Sequence, residues 1–395
     1  MEVIVMTNTL KRRAFIRVLG GSAVFAAVPP LLAGCSADYP DEVLTPWQGP
    51  PAAADLRRWA LGYAILAPNS HNRQPWLADL HEPDSIVLRV DRERLLPETD
   101  PWFRQIVVSQ GTFIEALVIA LRQRGVEPQV TLFPEGEFAP RTLDDRPVAR
   151  IRWVPGAPSR DPLFAQLLRR HTAKVEYDTT RTVAPAMLQA LAGVLLDPGV
   201  RFGATVEPAR LDPLRELCWQ SAQVELLTPR TVMESLRLTR VGPAEIAAHR
   251  DGISINSPMA RLAETFGAFD RSAPPAEGST AYGQMMQRFE GHSRTAMGFV
   301  WLSTAADGGG RAAQLRAGRA YMRLQLKATE LGLQMHPMSQ AAQEFDEMKP
   351  FHDRVHRLTV GKPATVETVQ MFCRVGYSPP QQHTPRRGVE AIVRT

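Results

Sequence analysis

The chain carries the stretch Ala67-Pro68-Asn69-Ser70-His71-Asn72-Arg73-Gln74-Pro75-Trp76 directly after an amphipathic helical segment at 55–66. That helix should stop before Pro68, because the residue preceding a proline is driven out of the helical region. Short polar side chains then follow one another through a turn. Such a loop could present hydroxyl, imidazole and carboxamide groups to the edge of a heteroaromatic ring. An ordinary Asn- and Ser-rich helix exit has the same composition, so the loop alone leaves both interpretations open.

Two basic segments lie further along the chain. The first is Arg169-Arg170-His171-Thr172-Ala173-Lys174, and in an extended strand its alternation places Arg170, Thr172 and Lys174 on one side. Two cations beside a hydroxyl would suit a phosphate, since Arg binds it bidentately and Lys adds a point charge. A solvated basic helix end is the alternative. The second segment, Pro385-Arg386-Arg387, has a charged tail as its default interpretation.

Together these segments resemble the motifs of the nitroreductase-like FMN-binding superfamily, most closely its Acg-type branch of fused, two-half proteins. In that superfamily an Arg-x-Ser/Thr-x-Lys/Arg strand and a C-terminal basic pair hold the flavin phosphate. A Pro-Ser-Ser-x-Asn-x-Gln-Pro-Trp segment lies against the isoalloxazine ring. Here the strand is matched by Arg170, Thr172 and Lys174, and the basic pair by Arg386 and Arg387. The ring segment is matched by Pro68, Asn69, Ser70, Asn72, Gln74, Pro75 and Trp76, where Asn69 replaces the more usual Ser.

The resemblance covers about 55–395 and includes one further segment, Gly332 to Gln340, after the longest predicted helix. Family members run their backbone past the flavin centre at this place. The implied contacts are therefore at Pro337, Met338, Ser339 and Gln340, and the implied cofactor is FMN.

Helical and strand-like patterns alternate along both halves of the chain, which predicts an α+β fold. The resemblance implies a nitroreductase-like fold whose two related halves, at 55–156 and 157–395, form an intramolecular pseudo-dimer. The ring segment occurs only in the first half and the phosphate segment only in the second. We therefore expect one FMN per chain and a monomeric protein. The Pro- and Gly-rich stretch at about 228–290 is predicted to be a lid insertion over the flavin.

The N-terminus predicts export from the cytoplasm. Lys11-Arg12-Arg13-Ala14-Phe15-Ile16-Arg17 precedes a short apolar run and then Leu32-Ala33-Gly34-Cys35. This order resembles a twin-arginine signal peptide at 1–34 that ends in a lipobox. The resemblance implies recognition by the Tat translocon and a lipid on Cys35 that anchors the protein to a membrane on the periplasmic or cell-surface side. Residues 35–54 contain four prolines without periodicity and are predicted to be a tether.

Composition argues against several other classes of protein. The formal net charge is +5, and the basic residues of the signal segment supply much of it, so no nucleic-acid-binding face is expected. Cys35, Cys218 and Cys373 are too few and too dispersed for a disulfide scaffold or a cysteine metal site. His352 and His356 lie one helical turn apart without a third ligand, so no metal site is expected. Neither a Rossmann glycine motif nor a hydrolase Gly-x-Ser-x-Gly elbow occurs.

These observations predict an exported flavoprotein that passes electrons through FMN N5 to a nitro, quinone or other conjugated acceptor. The electron donor and the acceptor cannot be derived from the sequence. No side chain stands out as a general acid; His71 and His336 are candidates by position, and a structural role for each is favoured. The alternative is a protein that sequesters or stores FMN beneath a lid with little or no turnover.

Overall fold

The computed structural model describes residues 38–52, 54–156, 160–265, 270–306 and 310–394. The proposed signal peptide and Cys35 lie outside this part of the chain. The strands are β1 (Trp76–Asp79), β2 (Ser85–Val90), β3 (Val126–Leu132), β4 (Ala149–Pro155), β5 (Val200–Thr205), β6 (Thr239–Val241), β7 (Ile253–Ile255), β8 (Gly298–Ala305), β9 (Gln334–Pro337), β10 (Glu367–Gly376) and β11 (Val393–Arg394). The α-helices are α1 (Asp41–Leu44), α2 (Leu56–Ala64), α3 (Arg104–Gln123), α4 (Pro185–Ala192), α5 (Pro208–Leu227), α6 (Pro229–Arg237), α7 (Gly242–His249), α8 (Pro258–Thr265), α9 (Thr280–Arg294), α10 (Gly310–Glu330) and α11 (Lys349–Thr359).

Two antiparallel four-strand sets form the framework of the molecule. The first has the order β1-β2-β4-β3 and the second the order β5-β8-β10-β9. In each set a long helix, α3 or α10, connects the second strand in sequence to the third. The mixture of helices and antiparallel sheets confirms the α+β class. The repeated strand order agrees with an organisation in two related halves.

The two halves meet where α3 and α10 cross. Gly111 of α3 and Gly318 of α10 face each other so closely that a β-carbon on either would lie 2.9 Å from the Cα of the other. Carbonyl oxygens of Val108 and Leu315 close the remaining space around the two glycines. By length and composition α3 could cross a membrane, but its apolar window is completely buried inside the protein. This helix is therefore the centre of the core.

A buried arginine at the start of each long helix strengthens the contact between the halves. Arg104 Nη1 donates to the Gln370 carbonyl at 2.6 Å, and its guanidinium pairs with Glu344. In the opposite direction, Arg311 Nη1 donates to the Trp102 carbonyl at 2.8 Å. Each half thus supplies a cation that satisfies carbonyl groups of the other half.

The C-terminal segment returns from the second half to the first. Its strand β11 pairs in parallel with β1, with Ala78 opposite Val393. The last residues of the chain therefore complete the first sheet, in the order β11-β1-β2-β4-β3. This crossover brings the segment around Arg386 to the loop that precedes β1.

The segment 38–48, here called the N-terminal strap, differs from the predicted tether at 35–54. It contains α1 and a 3-10 turn at Thr45–Gln48, and it buries Val43 completely and Trp47 to 7% exposure. The backbone N–H of Arg386 donates to the Val43 carbonyl at 3.2 Å. Val43 and Trp47 are too few to give this segment a hydrophobic period, so its packing could not be predicted from the sequence. The strap nonetheless packs against the C-terminal segment as part of the fold.

The predicted lid at 228–290 is a folded insertion between α5 and β8. Its described residues form α6, α7, α8 and most of α9, with β6 and β7 paired in parallel between them. Glu234 of α6 anchors the insertion to the first half, since its carboxylate accepts from the backbone N–H of Glu98 and of Thr99, each at 3.0 Å. The insertion is therefore attached to both halves.

Substitution of Gly111 tests the contact between α3 and α10. We expect Gly111→Ala to lower the free energy of unfolding by about 3 kcal/mol, because the added methyl group must push two helix backbones apart. Gly283→Ala is the matched control, because Gly283 lies inside α9 and an added β-carbon meets nothing within 4 Å. The control should leave the protein as stable or raise its stability by up to about 1 kcal/mol through helix propensity. Urea denaturation measures both variants, and equal stabilities would contradict the close contact.

Candidate functional site

The loop at 68–76 is held in an unusual backbone conformation. His71, Asn72 and Gln74 have φ values of 49°, 52° and 51°, in the left-handed region that non-glycine residues rarely adopt. Each such residue costs about 1–3 kcal/mol and persists only when its surroundings hold it. Three such residues within four positions are more than a simple turn requires, which makes the loop a candidate functional segment.

Helix α3 and the loop's own side chains maintain this conformation. Asn69 Oδ1 accepts from the Gln74 backbone N–H at 2.8 Å, which closes the turn. Thr112 Oγ1 of α3 donates to the Pro68 carbonyl at 2.7 Å, and Ser109 Oγ accepts from the Ser70 backbone N–H at 3.3 Å. The Asn that replaces the family's usual Ser at position 69 is therefore a structural residue of the loop.

The C-terminal segment contacts the same loop. Arg386 Nη1 donates to Asn72 Oδ1 at 2.6 Å, and Asn72 Nδ2 donates to the Pro385 carbonyl at 3.0 Å. The backbone N–H of Arg387 donates to Gln74 Oε1 at 2.8 Å. Residues from the two ends of the chain, which the sequence motifs had grouped in one site, are thus in direct contact.

Arg170 and Arg386 form a pair of buried guanidinium groups. Both are 2% exposed, both donate to the Leu66 carbonyl, at 3.1 and 3.4 Å, and both lie over the Trp47 ring. Arg170 Nε, Arg170 Nη1 and Arg386 Nε have no hydrogen-bond partner, and no carboxylate of the described residues lies within 4 Å of either group. Burial lowers the pKa of Arg170 to about 10, and burial together with repulsion from Arg170 lowers the pKa of Arg386 well below its ordinary value.

Two buried cations without an anion are costly, because a buried charge needs a partner. Two neighbouring imidazole nitrogens, His171 Nε2 and His383 Nε2, are also buried without a partner. Trp47 covers this group, stacking on His383 at 4.0 Å and donating from Nε1 to the Thr384 carbonyl at 2.9 Å. The unpartnered donors fit an anion with several acceptor oxygens, such as a phosphate. Trp47 and His383 belong to no sequence motif, so the sequence alone does not point to them.

The phosphate segment does not form the predicted strand. Residues 170–174 lie outside any β-ladder, and Arg170 and Ala173 are buried whereas Lys174 is exposed, so the expected alternation is wrong. Thr172 is half-buried and makes no hydrogen bond to a described residue. The physical reason is that this part of the chain crosses between the halves and has no neighbouring strand with which to pair.

Lys174 lies near a different set of groups from Arg170. Its electrostatic neighbours include His71, His336, Arg288 and Glu225, and no carboxylate of the described residues pairs with it within 4 Å. Although the side chain retains accessible surface, surrounding protein desolvates the ammonium and, with repulsion from Arg288, lowers its pKa to about 8. Arg170 and Lys174, which the sequence predicted to hold one phosphate together, therefore lie among different groups.

Arg387 lies beside a carboxylate and a backbone carbonyl, although the sequence predicted that it holds the phosphate. Its Nη1 lies 3.6 Å from Asp91 Oδ2, and Nη2 donates to the Ala391 carbonyl. Since Asp91 neutralises its charge, Arg386 is the member of the basic pair that faces Arg170.

The segment at Pro337–Gln340 lies at the end of β9. The Met338 backbone N–H donates to the Phe372 carbonyl at 2.8 Å, so this one main-chain group of the expected flavin contact is already paired within the protein. Pro337, Ser339 and Gln340 are half-buried and start the turn that follows. Beyond them Gln343 Nε2 donates to Glu225 at 2.6 Å, and burial raises the pKa of Glu225 to about 6.

The insertion lies directly on the loop. His71 Nε2 is 3.3 Å from Ser235 Oγ, Gln74 Nε2 donates to the Arg250 carbonyl at 2.8 Å, and the Gly252 backbone N–H donates to the Asn72 carbonyl at 3.2 Å. The insertion therefore covers one side of the loop.

Two further histidines are candidates from the sequence, His71 as a general acid and His356 as a metal ligand, and their surroundings do not favour either role. Burial, with repulsion from Lys174, lowers the pKa of His71 to about 3, so this imidazole is neutral at pH 7 and has no proton to give as a cation. His356 uses both ring nitrogens, since Nδ1 lies 2.7 Å from the His352 carbonyl and Nε2 accepts from the Val369 N–H at 3.0 Å. It therefore has no free lone pair for a metal ion.

Sequence comparisons find relatives over most of the chain. The chain is 25% identical over 352 residues to "Putative NAD(P)H nitroreductase Rv3131" of Mycobacterium tuberculosis, a match that covers 86% of this chain and 91% of the relative. It is 25% identical over 356 residues to "Putative NAD(P)H nitroreductase acg" of the same organism, covering 86% and 95%. These matches confirm the coarser part of the resemblance: the chain is related to Acg-type, nitroreductase-like proteins. No family model matches the chain.

Solved structures similar to the chain include the nitroreductase with bound FMN from Bacteroides fragilis NCTC 9343. It is 13% identical, with 57% of this chain and 94% of that chain covered and a TM-score of 0.31. Another is the FMN-dependent nitroreductase NfnB from Mycobacterium smegmatis in complex with NADPH. It is 17% identical, with the same coverage of both chains and a TM-score of 0.34.

Proposed function

We propose that this protein binds FMN and acts as a nitroreductase-like oxidoreductase. The observation that carries the proposal is the buried pair Arg170 and Arg386, whose unpartnered donors require an anion, beside a polar loop of the kind that borders a flavin ring. Relatives named as NAD(P)H nitroreductases over most of the chain support the same function.

The residues present fit FMN. Arg170 and Arg386 would hold the phosphate, because three of their nitrogen atoms are buried without an acceptor. The loop residues Ser70 and Asn72 and the more distant cation Lys174 would lie toward the ring. When bound, FMN supplies two-electron redox chemistry toward a nitro, quinone or other conjugated acceptor, and the protein supplies binding, orientation and electrostatics.

The arrangement of the chain supports a single site. Arg170 comes from the second half, the loop comes from the first, and the C-terminal segment that carries Arg386 joins the first sheet. One chain therefore completes one site without a partner subunit. We infer a stoichiometry of one FMN per chain in a monomer.

Removing the arginine pair should abolish tight FMN binding. We expect Arg170→Met combined with Arg386→Met to weaken FMN affinity by at least a hundredfold, because charge-assisted hydrogen bonds are worth about 1.5–3 kcal/mol each. Arg58→Met is the matched control, since Arg58 is a partly exposed arginine that pairs with Glu390 near the same segment. Fluorescence titration measures affinity and should give one FMN per chain. Unchanged affinity in the double variant, or two FMN molecules per chain, would contradict the proposal.

Storage of FMN is the second candidate, and the contacts of the insertion favour it. Ser235, Arg250 and Gly252 cover the loop from one side, while Trp47 of the N-terminal strap covers the arginine pair. A ligand enclosed by both segments would exchange slowly with solvent. The two functions differ in whether a reductant can reach the flavin.

Anaerobic reduction separates the reductase from the storage protein. For a reductase we expect NADH or NADPH to bleach the visible flavin absorbance of the FMN-loaded protein, as dithionite does. Free FMN at equal concentration is the control for direct reaction with each reductant. Bleaching by dithionite alone would contradict a nicotinamide-dependent reductase and favour storage.

We further propose that the protein is exported by the twin-arginine route and anchored by a lipid on Cys35. The support is the order of the arginine pair, apolar run and lipobox in the sequence. An exported protein would load FMN in the cytoplasm, and enclosure by the insertion and strap would help to retain it.

Substitution of Cys35 tests the anchor. Cys35→Ser should move the protein from the membrane fraction to the soluble fraction, because the serine hydroxyl cannot take the thioether-linked lipid. FMN binding should be unchanged, and a buried cysteine variant, Cys218→Ser, should remain in the membrane fraction. Membrane association that survives Cys35→Ser would contradict the lipobox interpretation.

A further inference from the structure

Arg374 of β10 is a buried arginine whose donors converge on backbone and imidazole. It is fully buried, and its Nε donates to His336 Nδ1 at 3.1 Å. Its Nη1 donates to the His292 carbonyl at 2.8 Å and its Nη2 to the Val175 carbonyl at 2.6 Å, while the guanidinium lies 3.9 Å from the Tyr177 ring centroid. No carboxylate of the described residues lies within 4 Å. The guanidinium is thus fixed by neutral groups.

This geometry determines the tautomer of His336. A guanidinium has five N–H donors and no acceptor, so His336 Nδ1 must supply a lone pair. The ring proton is therefore on Nε2. Burial and repulsion from Arg374, His292 and Lys174 hold the pKa of His336 well below its ordinary value, so the ring stays neutral at pH 7.

The proton on His336 Nε2 has no acceptor in the described part of the chain. Nε2 makes no hydrogen bond to a described residue, and the atom keeps some contact with solvent. His292 packs edge-on against the ring with centroids 5.2 Å apart, and Lys174 and Arg288 are its other charged neighbours. Lys174 and Arg288 are cations, and no hydrogen bond joins the His292 and His336 rings, so none of these neighbours accepts the Nε2 proton.

We propose that His336 Nε2–H is a hydrogen-bond donor to the ligand of this site and that Arg374 is the positioning residue that fixes its tautomer. The inference rests on the proposed function, under which the acceptor is an atom of the flavin ring system. His336 lies beside the segment that carries Lys174, because Arg374 donates both to His336 Nδ1 at 3.1 Å and to the Val175 carbonyl at 2.6 Å. The candidate acid of the sequence analysis is therefore a neutral donor.

Nitrogen-15 NMR of the histidine-labelled, full-length protein tests the tautomer directly. Without FMN we expect His336, assigned by its loss in His336→Gln, to show a protonated Nε2 and an unprotonated Nδ1 across the neutral pH range. Arg374→Met should release this preference and let the ring titrate nearer its ordinary pKa. A wild-type ring protonated on Nδ1 overturns the proposal even where Arg374→Met fails to fold.

FMN titration of the same sample tests the contact. Binding should shift the His336 Nε2–H resonance, and His336→Phe should weaken FMN affinity about tenfold and move the flavin midpoint potential. His336→Gln retains a donor and an acceptor and should stay near wild type, as should the exposed control His81→Phe. FMN that binds without moving the resonance overturns the contact. A correct tautomer with no FMN binding at all overturns the proposed function instead.

Discussion

Where α3 and α10 cross, Gly111 and Gly318 bring two helix backbones together with no side chain between them, and this distance sets the geometry of the site. Helix α3 holds the 68–76 loop through Ser109 and Thr112, which lie within two residues of Gly111. Helix α10 leads directly into β9, which carries His336. Because cores are close-packed, a shift at the crossing would be transmitted to both elements. A bulkier residue at the crossing would therefore change the separation of loop and strand as well as the stability.

Arg170 and Arg386 have no carboxylate partner among the described residues, whereas several other arginines of the protein do. Two other arginines have carboxylate partners: Arg323 Nη1, which is buried, lies 2.6 Å from Asp161 and 2.9 Å from Glu115, and the half-buried Arg94 lies 2.7 Å from Asp251. Arg170 and Arg386 are buried to a similar degree but face each other without a carboxylate. Repulsion between them opposes folding of the ligand-free chain. An arrangement that sets two guanidinium groups against each other and leaves three of their nitrogen atoms without acceptors costs stability in the absence of an anion, and is best explained by anion binding.

The two long helices follow from the sequence because their apolar patterns are long and periodic: the patterns predict helices at 105–124 and 312–331, and the structure has them at 104–123 and 310–330. Strands β1 and β9 have only four residues each, which is too short for a pattern that fixes the bounds of a strand. The sequence motifs identified Asn72, Arg170 and Arg386 correctly as neighbours. They did not separate Arg387, whose partner Asp91 is remote in sequence, nor include Trp47 or Arg374, whose roles depend on tertiary contacts. The resemblance grouped the motif residues in one site, and only their tertiary contacts show which role each of them has.

Burial, and after it the charge of the neighbouring cations, keeps the histidines of this region neutral. Burial and neighbouring charges lower the pKa of His71 and His292 to about 3 and of His383 to about 4. The ligand-free site at pH 7 therefore carries its positive charge on Arg, Lys and no imidazole, with Glu225 as the acidic neighbour of Lys174. A neutral imidazole can donate from one nitrogen and accept at the other. Such a site holds an anion by fixed guanidinium charges at one end and offers uncharged donors and acceptors at the other, which is the combination that a phosphorylated polar ring requires.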